Sequence, residues 1–142
     1  MTGIKIDGKI IAQTVKDRVK KAASELKKEG INPCLATVLI GNNSASATYV
    51  KNKHKACEEV GIITKDHKLD ESVTQQELNN IIDELNADVS VHGILVQLPL
   101  PKHLNEFAVT SRISPIKDVD GLTPHNAGLL SVKKAVLVAC TP

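Results

Sequence analysis

The sequence predicts an α/β fold with an open, mainly parallel sheet and helices on both faces, a three-layer αβα arrangement. Two observations carry that prediction. Apolar runs alternate along the chain with segments whose apolar residues recur every three or four positions, the pattern of strand–helix–strand crossovers. Two of the runs, 34–40 and 91–98, are apolar at nearly every position, as strands covered on both faces are.

Taken in order, Ile10, Ile11, Val15, Val19, Ala22 and Leu26 recur at helical spacing with lysines between them. They predict an amphipathic helix of four or five turns, closed by Gly30 and then Pro33. The run from Cys34 to Ile40 predicts a central strand, ended by Gly41. Asn42, Asn43 and Ser44 offer capping side chains, so a second helix is expected over 46–60, stopped by Gly61. A shorter strand is expected over 62–69. Thr74-Gln75-Gln76-Glu77 is a capping-box pattern that opens a third helix over 74–86. The strand over 91–98 is halted by Pro99 and Pro101. A short helix over 104–111, an ordered loop over 114–124 and a last short helix over 125–130 complete the reading. Four strands and several helices supply the core. The final apolar run, 135–140, stops at Thr141-Pro142 without a polar tail, which suggests an artificial boundary or a missing second domain.

Composition narrows the function. Apolar residues make up 42% and charged residues 24% of 142 positions, a globular balance sized for one domain. No run approaches the ~18 apolar residues of a membrane span, and Met-Thr-Gly-Ile-Lys has no apolar signal core. A net charge of +2 is too mild to argue for nucleic acid, and Tyr49 and Phe107 are the only aromatics, too few for stacking on single strands. Cys34, Cys57 and Cys140 are odd in number, without CxxC. They suit a reducing cytosol rather than a disulfide framework. His54, His67, His92, His103 and His125 are scattered without metal-ligand spacing. The expectation is a soluble, cytoplasmic, metal-free domain with no nucleic-acid or membrane partner.

Ligands of open parallel sheets bind beyond the carboxyl ends of the strands, where three segments stand out. Ser46, Tyr49 and Lys53 fall on one helix face; by spacing alone this also suits an ordinary solvated surface. Gln97 breaks an apolar strand before Leu98-Pro99, and a buried amide needs partners, from backbone or from a ligand. Asp118 and Asp120 stand two apart before Gly121. The later oxygens of a calcium loop are missing, and a turn cap is the competing reading. The sequence has neither GxGxxG nor GxxxxGK[ST], so no recognised phosphate cradle is present.

Together the segments are specific. Gly41-Asn42-Asn43-Ser44-Ala45-Ser46-Ala47-Thr48-Tyr49-Val50-Lys51-Asn52-Lys53, Gly93-Ile94-Leu95-Val96-Gln97-Leu98-Pro99-Leu100-Pro101 and Pro115-Ile116-Lys117-Asp118-Val119-Asp120-Gly121 closely resemble the methylenetetrahydrofolate dehydrogenase/cyclohydrolase (bifunctional FolD) family. Ile6-Asp7-Gly8-Lys9 and Cys140-Thr141-Pro142 match as well. The resemblance runs through the whole chain but covers about half of a family member. It implies that residues 1–142 are a folate-binding catalytic domain, with the NADP-binding Rossmann domain absent from the chain. It further implies one-carbon metabolism in the cytoplasm, feeding purine biosynthesis, and a homodimer at full length.

By the same resemblance, 5,10-methylenetetrahydrofolate is oxidised by NADP⁺ to the methenyl cation, which is then hydrolysed to 10-formyltetrahydrofolate. Lys53 resembles the family's catalytic lysine, Tyr49 the ring that stacks on folate, Gln97 the amide that holds the lysine, and Asp120 the carboxylate that grips the pterin. Val50, Lys51, Asn52, Val96, Leu98 and Pro99 would line the substrate site, and Thr141 stands nearest the expected cofactor. A cationic substrate and a partly buried site disfavour a charged lysine, freeing it for proton transfer. An ionised Asp offers acceptors to two pterin N–H groups. Ser44, Leu122, Leu137 and Ala139 depart from the family's usual Pro, aromatic, Phe and Pro, which bears on cleft shape. A non-catalytic or monofunctional folate-binding module is the alternative.

Overall fold

Alternation in the central strand sorts the molecule into its layers. The structure, a computed structural model, describes residues 7–134 and Val138. Its elements are α1 (Gly8–Lys28), β1 (Cys34–Ile40), α2 (Ser44–Val60), β2 (Ile63–Leu69), α3 (Gln75–Ala87), β3 (Gly93–Val96), α4 (Glu106–Arg112) and α5 (Pro124–Ser131). The strands form one parallel sheet in the order β2-β1-β3, so β1 is central, as its unbroken apolar run predicts. Cys34, Ala36, Val38 and Ile40 project to one face, where Leu78, Ile82 and Leu85 of α3 and Val109 of α4 join them in the core. Leu35, Thr37 and Leu39 project to the other face, which α2 covers.

Local chemistry explains the boundaries. Thr74 and Glu77 close a reciprocal capping box: the Thr74 N–H donates to Glu77 Oε2 at 2.8 Å, and the Glu77 N–H donates to Thr74 Oγ1 at 3.2 Å. Asn43 caps α2 by accepting the Ser46 N–H at 3.1 Å, so this helix starts two residues earlier than expected. The third strand is shorter than 91–98. Its ladder ends where the Gln97 N–H donates to Val38 O at 2.9 Å, and Pro99 has no N–H with which to continue. Among the described residues there are three strands rather than four; the apolar run 135–140 lies outside them apart from Val138. The matches at Ile6 and at Cys140-Thr141-Pro142 also lie outside them.

The first helix is longer than its periodicity predicts, and its apolar stripe is not in the core. α1 lies against α2 through Ala23, its buried residue, and through the Lys16–Glu59 ion pair at 2.6 Å. Ile10, Ile11 and Val15 remain exposed, Ile10 by 66%. Helical period identifies an apolar face but not the surface that covers it.

Candidate functional site at the carboxyl end of the sheet

Three segments converge where the strands end. After β3 the chain presents Gln97, whose Nε2 donates to its neighbour's carbonyl, Leu98 O, at 2.7 Å. That bond fixes the amide so that Oε1 faces α2, and Lys53 Nζ donates to it at 3.2 Å. The Leu98–Pro99 peptide is cis. Lys53 lies on the half-buried side of α2, next to the buried Val50. Tyr49, one turn earlier, holds its ring largely in solvent at 63% exposure.

The third segment is built around Asp118. Its carboxylate is 1% exposed. Oδ1 accepts the N–H groups of Gly121 and Leu122 at 2.9 and 3.3 Å, and Oδ2 accepts the Thr123 N–H and Asn126 Nδ2, both at 2.8 Å. Gly121 takes a positive φ of 69° in this turn, which a side chain would disfavour. Burial pushes the Asp118 carboxyl up, but the hydrogen bonds from Thr123, Asn126 and Leu122 outweigh it and hold the group below the usual carboxylate range. Asp118 is therefore the turn's cap, and it presents Asp120 to the site.

The loop comes close to the sheet because β3 begins with glycine. Ile94 N donates to Lys117 O at 2.7 Å, and Ile94 bridges Asp118 in parallel. A Cβ added at Gly93 would sit 2.5 Å from Val119 Cγ1, so the Val119 side chain would have to move. Asp120 is half-buried. Burial pushes its carboxyl up; the Lys53 charge pulls it down, and the Asp118 charge adds to the rise, so the net direction is upward. Lys53 and Asp120 thus interact through their charges while Gln97 holds the amine.

Of the residues singled out in the sequence, Lys53, Gln97 and Asp120 are brought together. Val50 and Val96 are buried beside them, Leu98 is half-buried, and Pro99 is exposed. Lys51 and Asn52 are exposed and make no side-chain hydrogen bond to the trio among the described residues; Thr141 lies outside those residues. Sequence reasoning left the role of Asp118 open. The signal was Asp118 placed three to five residues before Gly121, Leu122 and Thr123, the spacing of a carboxylate that caps following N–H groups. It also passed over His54, which follows Lys53 and bonds into the sheet.

Fold and site define a class: a parallel αβα domain with a lysine held by an amide, and a carboxylate opposite, at the carboxyl end of the sheet. Residues 6–120 match the family model for the tetrahydrofolate dehydrogenase/cyclohydrolase catalytic domain, and the chain belongs to that family. It is 78% identical over 142 residues to the bifunctional protein FolD of Nitrosopumilus maritimus and 61% identical over 137 residues to that of Cenarchaeum symbiosum. These alignments cover 100% and 96% of the chain but 50% and 49% of the relatives, so the chain spans about half the length of the curated relatives it matches. The crystal structure of the Campylobacter jejuni bifunctional enzyme FolD superposes with a TM-score of 0.92 at 47% identity, over 94% of this chain and 48% of that one. The Trypanosoma brucei FolD, complexed with NADP cofactor and inhibitor, superposes at 0.91 with 34% identity, over 99% of this chain and 49% of that one.

Proposed function

We propose that residues 1–142 form the folate-binding catalytic domain of a bifunctional methylenetetrahydrofolate dehydrogenase/cyclohydrolase, working in one-carbon metabolism in the cytoplasm and supplying purine biosynthesis. The observation that carries this reading is the Lys53 Nζ–Gln97 Oε1 bond at 3.2 Å, facing a half-buried Asp120. Lys53 moves the proton as water adds to the cationic one-carbon bridge of 5,10-methenyltetrahydrofolate. Gln97 holds the amine without adding a charge that the cationic substrate would oppose. Asp120 accepts from the pterin N–H groups, and the exposed Tyr49 ring offers apolar area and a quadrupole attractive to a cation. Val50, Lys51, Asn52, Val96, Leu98 and Pro99 complete the substrate surface.

NADP, when bound, would accept the hydride of the oxidation step. The described residues do not fit it. The sequence carries no glycine-rich phosphate loop, and the α2 N-terminus behind Gly41 is capped by its own Asn43. The NADP site, with Thr141 nearest, and homodimer assembly fall to the part of the relatives' length that this chain does not span.

The test is Lys53→Ala in the protein at its full natural length. Loss of one positioned proton-transfer group lowers hydrolysis to 10-formyltetrahydrofolate by roughly 10²–10⁴-fold, while folate binding, measured by calorimetry, persists. Product formation at the wild-type rate would overturn the assignment.

A further inference from the structure

The helix that carries Lys53 is seated on the sheet by a polar latch that the reaction itself does not use. His54 lies next to Lys53 on α2 and turns the other way, between the helix and the strands. Its Nε2 is 3.0 Å from Thr37 Oγ1 on β1 and 2.7 Å from Asp66 Oδ1 on β2. Thr37 and Asp66 are direct register partners, so both side chains point to the face that α2 covers. Thr37 Oγ1 donates its hydrogen to Asp66 Oδ1 at 2.8 Å. With that hydrogen committed, the hydroxyl can only accept from the imidazole, and Asp66 also only accepts. Nε2 must therefore carry a hydrogen, shared between Thr37 and Asp66. The order is not that of a nucleophile–base–acid triad, because the hydroxyl and the carboxylate meet the same ring nitrogen. The cluster is a fastening.

The fastening matters because α2 buries few of its own side chains on this face. The buried residues of α2 are Ser46, Val50 and Val60. Among the described residues, the contacts of His54 are the only side-chain hydrogen bonds from α2 to the three strands. A side-chain tip about 5–6 Å from a helix axis moves by roughly 1.5 Å when the helix rotates by about 15°. From 3.2 Å, such a shift breaks the Lys53–Gln97 bond. We propose that His54, latched to Thr37 and Asp66, is a positioning residue that sets the seat of α2 and thereby holds Lys53 on Gln97.

The inference rests on the proposed role of Lys53, so the experiment has one arm that does not depend on activity. In full-length protein labelled with ¹⁵N-glutamine, the Gln97 side-chain amide resonances are compared among wild type, His54→Leu and His54→Gln. The glutamine amide keeps an N–H donor at similar reach, so its spectrum matches wild type, whereas His54→Leu moves the Gln97 signals. In the hydrolysis assay, His54→Leu lowers kcat about tenfold, the scale of a small misplacement, with KM within about twofold, and His54→Gln recovers most of the loss. If His54→Leu fails to fold, Asp66→Ala, at a half-exposed position, takes its place with the same expected signs. Gln97 resonances unmoved in a folded latch variant overturn the inference, and so does a loss confined to KM. A Lys53→Ala enzyme of full activity would instead refute the reading of the site, while the Gln97 signals would still report on the latch.

Discussion

The two faces of the sheet are built on different principles. On the α3–α4 face, β1 contributes Cys34, Ala36, Val38 and Ile40 to a continuous apolar cluster with Leu78, Ile82, Leu85, Val109 and Ile113. On the α2 face, the same strand offers Thr37 between Leu35 and Leu39, and α2 answers with a histidine and few buried apolar side chains. One face is held by area removed from water, which is non-directional. The other combines fewer buried apolar side chains with hydrogen bonds, which are directional and fix geometry. Lys53 stands on the second kind of support, whereas Asp120 borders Ile94, Val96 and Ile113 of the first. The difference points to a division of duties within one domain: the apolar layer anchors the sheet and the loop of Asp120, and the lightly packed layer orients Lys53.

Substitutions on the two faces can break or sharpen that contrast. The largest effect on stability is expected from Leu78→Ala, at a fully buried position of the apolar face. It should cost about 2–5 kcal/mol in chemical denaturation and leave the Gln97 side-chain resonances unmoved. A change at Gln97 would show that the faces are not independent. Asp118→Asn comes next. An amide N–H₂ would meet the donors of Thr123 and Asn126, for a loss of about 1–3 kcal/mol. Because the folded Asp118 carboxyl is depressed, its stabilisation is present above the ordinary carboxylate range. It is lost as pH falls through the folded value, so the gap between wild type and variant should close in acid.

Asp120→Asn is the smallest, and its sign is opposite. Its folded carboxyl is raised, so its contribution to stability is present below the unfolded value and is lost as pH rises through the folded one. At neutral pH the substitution should leave stability unchanged or raise it by about 0.5 kcal/mol or less, and the gain should vanish in acid. Thermal melts of the two aspartate variants, followed from neutral pH down to acid below the ordinary carboxylate range, measure both signs. A destabilised Asp120→Asn at neutral pH would mean that this carboxylate, too, belongs to the turn.

Legibility in the sequence followed the range of the interaction. The Thr74 capping box and the apolar β1 run are local, and both appear in the structure within a residue of their expected limits. Gln97 could be singled out because it breaks an apolar strand at its end, and Asp120 because it stands two residues after Asp118 and just before Gly121. Lys53, in mid-helix, stood out through the Tyr49 face and the family resemblance. The latch could not: Thr37, His54 and Asp66 are 17 and 29 positions apart along the chain and meet only through strand register. Strand limits at β3 depended on a proline's missing donor meeting a particular ladder position. The apolar stripe of α1 was legible as a stripe, but which surface covers it is a tertiary question that period alone does not address.

The close approach of Gly93 to Val119 has a consequence for variation. Strand start and loop draw on one shared volume, with 2.5 Å between the position of a Cβ at 93 and Val119 Cγ1. The two positions therefore do not vary independently. Any side chain at 93 displaces the isopropyl group at 119, the residue that precedes Asp120. The packing of the residue next to the carboxylate thus depends on an atom that residue 93 lacks.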